Sequence, residues 1–168
     1  VCANGQWRVI LTPLPAGGPF TMKISCGDDP LGLQDVLLGD VYIAAGQSNM
    51  EFMLQDELHG KEAIAAAHNE AVRYYDLPRI EFEDGCRRRP ELPEAVWELC
   101  TPQTAANFSA IAHYFAQEIA VRQKVPVGII NCSKGGTSAA CWLSEQALCA
   151  EPELQDVYWL PYQKAVAC

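Results

Sequence analysis

The segment at residues 39–50 places the strongest constraint on how this chain can fold. Its apolar stretch, residues 41–45, has the length of a strand and contains no charge. Such a stretch is typical of a strand that is covered on both faces. Gly46 ends the stretch, because glycine allows a sharp change of backbone direction and a close approach by other groups. We therefore predict a buried strand that runs into a tight turn.

That turn presents Ser48 at the carboxyl end of the predicted strand, which is where ligands bind in open α/β sheets. The following residues can begin a helix, whose free N–H groups and positive dipole end favour negative charge and can stabilise an oxyanion. The segment is not the G-x-S-x-G elbow, because residue 50 is Met50. On spacing alone, a plain loop is the more frequent explanation of such a turn.

Composition excludes several classes of protein. The chain has 168 residues, of which 49% are hydrophobic and 20% charged, so a globular domain with a core is expected. The formal net charge of −9 disfavours nucleic acid and anionic membrane surfaces as partners. No apolar run reaches the roughly 20 residues of a membrane helix. We expect neither a nucleic acid nor a membrane partner.

The cysteines do not indicate a metal site. There are eight, an even number, but the chain is long enough to fold without a disulfide framework. No C-x-x-C pair supports a structural zinc site. We expect most thiols to be reduced and buried, which leans towards a reducing, cytoplasmic compartment. We expect no metal or organic cofactor.

The first 38 residues differ from the rest of the chain. Strands are predicted at residues 7–11 and 20–24, with a proline- and glycine-rich turn between them and a second turn at residues 27–30. A pair of strands this short is only marginally stable alone. We therefore expect this β-rich segment to lean on another part of the structure.

A helix followed by two strands is predicted between residues 61 and 99. Apolar spacing indicates a helix at residues 61–75, and strands are predicted at residues 79–82 and 96–99. The loop at residues 84–93 contains three arginines, Arg87, Arg88 and Arg89. They can hold an anion such as a carboxylate, although such a run is more often a solvated loop.

A long helix and a buried strand follow. The helix is predicted at residues 108–123 and the strand at residues 125–131. The apolar stripe of the helix consists of Phe108, Ile111, Ala112, Phe115 and Ile119. His113 lies off this stripe, so we expect it to be exposed or at a boundary. The order of elements predicts a mainly parallel sheet with helices on both faces.

A second candidate site follows the strand at residues 125–131. Gly135 and Gly136 expose backbone N–H groups in a turn, and such concavities bind anions. Thr137 is expected to fix the turn or to cap the following helix. A glycine pair before a helix is usually only a connection. Because both motifs follow strand-like runs, we expect Ser48 and this turn to lie close together, at the carboxyl ends of neighbouring parallel strands.

Three blocks carry a family resemblance. The runs GDVYIAAGQSNMEF at residues 39–52, FSAIAHYFAQEIA at 108–120 and VPVGIINCSKGGTSAACW at 125–142 resemble the SGNH-type carbohydrate esterases, specifically the sialate O-acetylesterase family. The resemblance implies a three-layer α/β fold with a mainly parallel sheet, and it implies that Ser48 is the nucleophile. The candidate oxyanion or substrate contacts are Gln47, Asn49, Gly135, Gly136 and Thr137.

The chain departs from the family in its acid–base residues. A serine nucleophile needs a base, and the family supplies it in a D-x-x-H segment that this chain lacks, as it also lacks the family's W-Y-Q-G-E segment. Only His59, His68 and His113 are available, and none is well placed. We expect residues 39–168 to be the N-terminal part of the esterase domain. Residues 1–38 would then be the tail of a preceding domain, and missing sequence or a second chain would complete the esterase.

The resemblance implies hydrolysis of O-acetyl esters on sialic acid or a related sugar, with the acetylated sugar as the substrate partner. Two alternatives stay open. One is an acetylxylan-type esterase of the same superfamily, because sugar specificity is not readable from these motifs. The other is a non-catalytic carbohydrate-binding protein with this fold. A D-x-x-H segment in sequence downstream would favour the enzyme over the binding protein.

Overall fold

The computed structural model describes residues 2–3, 6–25, 30–78 and 94–166. Three expectations from the sequence therefore lie wholly or mostly outside the described residues. They are the turn at residues 27–30, the strand at residues 79–82 and the arginine-rich loop at residues 84–93.

An antiparallel hairpin dominates the N-terminal part. The strands here are β1 Cys2–Ala3, β2 Gln6–Trp7, β3 Gly17–Ile24 and β4 Leu31–Leu38, with β1 paired to β2 and β3 to β4. The expected strand at residues 20–24 is confirmed within β3, but residues 8–11 are not a strand. The sequence did not predict β4. The regular strand conformation of β4 is interrupted at Asp35, which has a φ of 57°. The register of the pairing between β3 and β4 shifts at the same place.

A four-stranded sheet forms the centre of the fold. Its strands are β5 Asp40–Gly46, β6 Asn69–Asp76, β7 Trp97–Cys100 and β8 Val127–Ser133, in the order β5-β8-β6-β7. The β5–β8 and β6–β8 pairs are parallel, and β7 adds an antiparallel edge. The expected α/β class with a mainly parallel sheet is confirmed.

Helices lie both between the strands of this sheet and after β8. They are α1 Ser48–Glu51, α2 Gly60–Ala65, α3 Pro102–Ala106 and α4 Ala110–Gln123 between the strands, and α5 Glu145–Ala150, α6 Pro152–Leu154 and α7 Leu160–Val166 after β8. Turns of 3₁₀ helix lie at Leu54–Asp56 and Ala139–Trp142, and Gln155–Trp159 is π-helical. Within the described part of the chain, no helix is long and apolar enough to cross a membrane.

The helix expected at residues 61–75 is wrong in its second half. Helix α2 ends at Ala65, and the chain then forms β6. Val72 and Tyr74 are two residues apart and both fully buried, which is the period of a strand. Pairing with β8 on one side and β7 on the other outweighs the helical spacing of the alanines, since tertiary contacts override local propensity.

One face of the sheet packs against α4. Phe108 stacks on Tyr74 with ring centroids 4.0 Å apart, and Phe115 meets Tyr42 edge-on at 5.0 Å. The buried residues of α4 are Ala110, Ala112, His113, Ala116 and Ala120. The predicted stripe is therefore only partly correct, because Ile111 is half exposed. Small alanines allow the helix axis to approach the sheet, so they take the buried side.

His113 is buried, contrary to the expectation of an exposed or boundary side chain; only 3% of it is accessible. The Nδ1 atom lies within hydrogen-bond distance of the Tyr74 hydroxyl oxygen, at 2.6 Å, and the Tyr74 hydroxyl lies 3.2 Å from Cys100 Sγ. A buried polar group is tolerated when it has such a partner. Desolvation by burial lowers the pKa of His113.

Because the pKa of His113 is lowered in the native state, we predict that the free energy of unfolding falls under mild acid. The unfolded imidazole titrates near about pH 6.5. Below that pH the unfolded chain binds a proton that the native chain excludes, so this stability is present above pH ~6.5 and is lost as the pH falls towards the folded pKa. For one proton, the free energy of unfolding changes with pH by at most about 1.4 kcal/mol per pH unit.

Denaturant unfolding between pH 8 and 5 measures this slope. His113→Gln should flatten it, because glutamine can still hydrogen-bond Tyr74 but does not titrate. The matched control is His68→Gln, since His68 is exposed. If the slope in His113→Gln were as steep as in the parent protein, the pH dependence could not be assigned to His113.

The opposite face of the sheet is open. Val41 is 58% exposed and Ile43 is 69% exposed, and Trp97 and Leu99 are also exposed. Two expectations are therefore wrong for the described residues. In that part of the chain, strand β5 is not covered on both faces, and helices do not cover both faces of the sheet. The helix that packs against the sheet, α4, lies on the Tyr42 and Tyr74 side, so the apolar side chains of the alternate positions face outwards.

The β3–β4 hairpin borders this open face. Arg73 on β6 donates two hydrogen bonds to the carboxylate of Asp35, each 2.9 Å long. A cleft of about 400 Å³ lies between the hairpin and the sheet, with Trp97 and Gly128 on its sheet side. The hairpin thus leans on the sheet, as the marginal stability of short strand pairs led us to expect.

Replacing Gly39 by alanine is predicted to destabilise the fold by about 2 kcal/mol or more. A β-carbon there would overlap the carbonyl oxygen of Pro126, which accepts a hydrogen bond from the Asp40 N–H. The junction that starts β5 beside β8 would have to open. Denaturant unfolding of Gly39→Ala measures the loss. Gly32→Ala is the matched control, because a β-carbon at Gly32 would meet nothing within 4 Å, and equal losses would refute the prediction.

The described cysteines only partly follow expectation. Cys100, Cys132, Cys141 and Cys149 carry free thiols, but only Cys100 is buried and Cys141 is exposed. Among the residues with described positions, no three His, Cys, Asp or Glu side chains are grouped so that they could hold a metal ion.

Candidate active site

The serine turn connects β5 directly to α1. Gly46 ends β5 with a φ of 155°, a conformation that side chains rarely adopt, and Ser48 is the first residue of α1. The N–H groups of Met50 and Glu51 donate to the Gln47 carbonyl at 2.9 and 3.0 Å, which closes the turn. Ser48 is exposed, so its hydroxyl is open to an approaching ligand.

The glycine turn follows β8. The N–H of Lys134 donates to the carbonyl of Gly46 at 3.0 Å, which ties the ends of β8 and β5 together. The Thr137 hydroxyl donates to the Lys134 carbonyl at 2.8 Å and accepts from the Trp142 indole at 3.0 Å. Thr137 therefore closes the turn that contains Gly135 and Gly136.

These two turns lie against each other. Gly46 pairs with Ser133 at the carboxyl end of the parallel β5–β8 ladder, so both turns leave the sheet at the same edge. A β-carbon at Gly135 would lie 3.5 Å from Ser48 Oγ. The expectation that Ser48 and the glycine turn lie close together is thereby confirmed.

Two candidate oxyanion donors are engaged by side chains in this structure. The N–H of Ser48 donates to Gln47 Oε1 at 2.7 Å, and the N–H of Gly135 donates to Glu51 Oε2. Gly136 differs, since it is exposed and an added β-carbon there would meet nothing within 4 Å. The backbone at Gly136 is therefore open to close approach by a ligand. Asn49 is exposed beside Ser48 on α1.

A chain of polar side chains, in which Asn131 and Ser133 are buried and Asp76 is exposed, supports this edge of the sheet. Asn131 Nδ2 donates to Asp76 Oδ1 at 2.8 Å, and Ser133 Oγ donates to Asn131 Oδ1 at 2.7 Å. These bonds link the carboxyl ends of β6 and β8 beneath the two turns. The sequence analysis did not identify Asp76 or Glu51. Asp76 is the last residue of β6 and Glu51 follows Ser48 by three positions, and each position is a usable signal.

The three histidines do not complete a catalytic pair with Ser48. His59 is exposed just before α2, where its N–H donates to Glu57 Oε2 at 3.0 Å. His68 is exposed between α2 and β6, and His113 is buried against Tyr74. Among the described residues, the only hydrogen bond of the Ser48 side chain or N–H is the one to Gln47.

Curated relatives share one name. The sialate O-acetylesterases of Mus musculus and Rattus norvegicus are 29% and 30% identical to this chain over 165 residues, which is 91% of this chain and 30% of each relative. The human sialate O-acetylesterase is 29% identical over 167 residues, with 89% and 31% covered. The chain thus spans about a third of the length of these relatives. No family model matches it.

A solved structure supports the same relationship. The carbohydrate acetylesterase from Xanthomonas citri superposes with a TM-score of 0.76 at 35% identity, and the match covers 86% of this chain and 32% of that protein. By these sequence matches and this fold, the chain is similar to about a third of the length of the sialate O-acetylesterases and of a carbohydrate acetylesterase.

Proposed function

We propose that this chain carries the nucleophile half of a serine esterase that removes O-acetyl groups from sugars. The observation that carries the proposal is the proximity of Ser48 Oγ to the Gly135 turn at the edge of a parallel sheet. A nucleophile beside exposed backbone N–H groups is the arrangement that acyl transfer requires. The relatives named for acetylester hydrolysis support the same chemistry.

In the proposed reaction Ser48 Oγ attacks the acetyl carbonyl carbon, and its proton passes to a histidine base. The tetrahedral intermediate then expels the sugar oxygen, which takes that proton and becomes a free hydroxyl. Water, deprotonated by the same base, attacks the acetyl-serine and releases acetate, and Ser48 recovers its proton. Each half of the cycle thus returns the base to its starting state.

The oxyanion is proposed to bind at the N–H of Ser48 and at the glycine turn, where Gly136 is open to approach. The Gln47 side chain accepts from the Ser48 N–H in this structure, so substrate binding must displace it. Gln47 and Asn49 then remain as polar contacts for the sugar, because both are exposed next to Ser48. Thr137 holds the turn in place.

The base is proposed to lie in polypeptide beyond this chain, either as further sequence or as a second chain. The relatives are about three times as long, and no described histidine bonds to Ser48. Residues 39–168 would form the N-terminal part of the esterase domain, and residues 1–38 the tail of a preceding β-rich domain. We refer to the chain together with this remainder as the completed esterase.

Acetate release from defined esters tests the proposal. The completed esterase should hydrolyse O-acetylated sialic acid faster than acetylxylan, since the curated relatives are named for sialate esters. p-Nitrophenyl acetate reports the chemistry without sugar recognition. Turnover of acetylxylan alone would favour the acetylxylan-type alternative.

A non-catalytic carbohydrate-binding protein is the second candidate, and the absence of a histidine partner for Ser48 in the described part of the chain favours it. This alternative expects acetylated sugar to bind without acetate release, even in the completed esterase. Isothermal titration and the acetate assay on the same sample separate the two functions.

A further inference from the structure

The carboxylate of Glu51 lies between the two turns of the candidate site. Glu51 is the last residue of α1, three positions after Ser48, and its Oε2 accepts the hydrogen bond of the Gly135 N–H. It is therefore bonded to the glycine turn while sharing a four-residue helix with the proposed nucleophile. A second link between the two turns is the bond from the Lys134 N–H to the Gly46 carbonyl.

The space around Gly135 shows how closely these groups meet. A β-carbon at this position would overlap Glu51 Oε2, and it would lie 3.5 Å from Ser48 Oγ and 3.6 Å from Glu51 Cδ. Only glycine lets the carboxylate reach the backbone here. The Gly135 backbone is not in the left-handed region, so the requirement for glycine comes from this contact and not from the backbone conformation.

We propose that Glu51 is a positioning residue, which holds the glycine turn at a fixed distance from Ser48 Oγ. Its carboxylate engages the Gly135 N–H, so the turn offers the substrate its next residue, Gly136, whose surroundings are open. The inference rests on the proposed esterase function and adds the residue that sets its oxyanion geometry. A misplacement of about 1 Å in such a site can cost about a hundredfold in rate.

Kinetics of Glu51 variants in the completed esterase test this role. Glu51→Ala removes the acceptor, so kcat should fall by about tenfold to a hundredfold while KM changes by less than about threefold. Glu51→Gln keeps an oxygen acceptor for the Gly135 N–H and should retain at least about ten times the kcat of Glu51→Ala. Glu145→Ala, at an exposed acid in the first turn of α5, is the matched control.

A double-mutant cycle with Gly135→Ala makes the test specific. In the parent protein the new methyl group displaces Glu51, so Gly135→Ala should lower kcat about as much as Glu51→Ala does. With Glu51 already truncated, the overlap with its carboxylate is gone, and the methyl group lies at an ordinary contact distance from Ser48 Oγ. The double variant should therefore be no worse than either single variant, whereas independent effects would multiply.

The outcomes separate this inference from the function on which it rests. If the parent completed esterase releases no acetate, the proposed function fails. If the parent is active, a Glu51→Ala kcat within twofold of it overturns the positioning role. A Glu51→Gln variant as impaired as Glu51→Ala overturns it too, as do multiplying losses in the double variant. Circular dichroism and thermal unfolding of each variant exclude a loss of fold as the cause.

Discussion

Replacing Ser48 by alanine is expected to abolish ester hydrolysis by the completed esterase and to leave its fold intact. The hydroxyl is the proposed nucleophile, and loss of a nucleophile in triad enzymes lowers kcat by about 10⁶-fold. The stability cost should be small, about 0.5 kcal/mol or less, because Ser48 is exposed and its side chain accepts no capping bond. Acetate release and thermal unfolding of the same preparation measure both quantities.

The control for this substitution is Ser138→Ala. Ser138 is exposed after the glycine turn, and its side chain makes no capping bond to the following 3₁₀ helix. The Ser138→Ala substitution removes a serine hydroxyl oxygen, as Ser48→Ala does, but leaves the proposed nucleophile in place. Turnover by Ser138→Ala should therefore stay near the parent value. Turnover of Ser48→Ala near the parent value would remove Ser48 from the mechanism.

The 168-residue chain alone is expected to hydrolyse acetyl esters poorly or not at all. Without a base, the serine hydroxyl stays un-ionised at neutral pH and is weakly nucleophilic. Triad enzymes that have lost a member keep roughly 10³–10⁴-fold acceleration over water from the oxyanion hole and binding. Here even that remainder should shrink, because part of the binding site is proposed to lie outside the chain.

The open face of the sheet gives this expectation a second readout. Val41 and Ile43 expose apolar side chains that the remainder of the domain is proposed to cover. The isolated chain should therefore bind a hydrophobic dye and self-associate, and both should decrease when the remainder is added in trans. The same addition should restore acetate release. Strong turnover by the isolated chain would identify His59, His68 or His113 as the base and contradict this account.

Parts of this outcome follow from local sequence. The uncharged run before Gly46 and the run before Asn131 could be recognised as strands, because apolar length and flanking glycines are local properties. Their shared direction also follows, since a strand, a helix and another strand in one sheet are joined by a crossover connection. The meeting of Ser48 with the glycine turn could thus be predicted before any coordinates.

Other parts depended on contacts between distant residues. The β6 segment has helical spacing in sequence, yet it becomes a strand because β7 and β8 supply its hydrogen bonds. His113 is buried because Tyr74, far away in the sequence, offers its hydroxyl. Such partners cannot be read from a periodicity, which records only neighbours along the chain.

By itself, the amino-acid sequence determined the α/β class, the position of the serine turn and its approach to the glycine turn. Only the tertiary structure decided which face of the sheet stays open and that Glu51 bonds the Gly135 N–H. The physical reason is the separation in sequence between the residues that interact. Strand and turn formation depend on residues a few positions apart, whereas coverage of a face and a carboxylate–amide contact depend on segments that only the folded chain brings together.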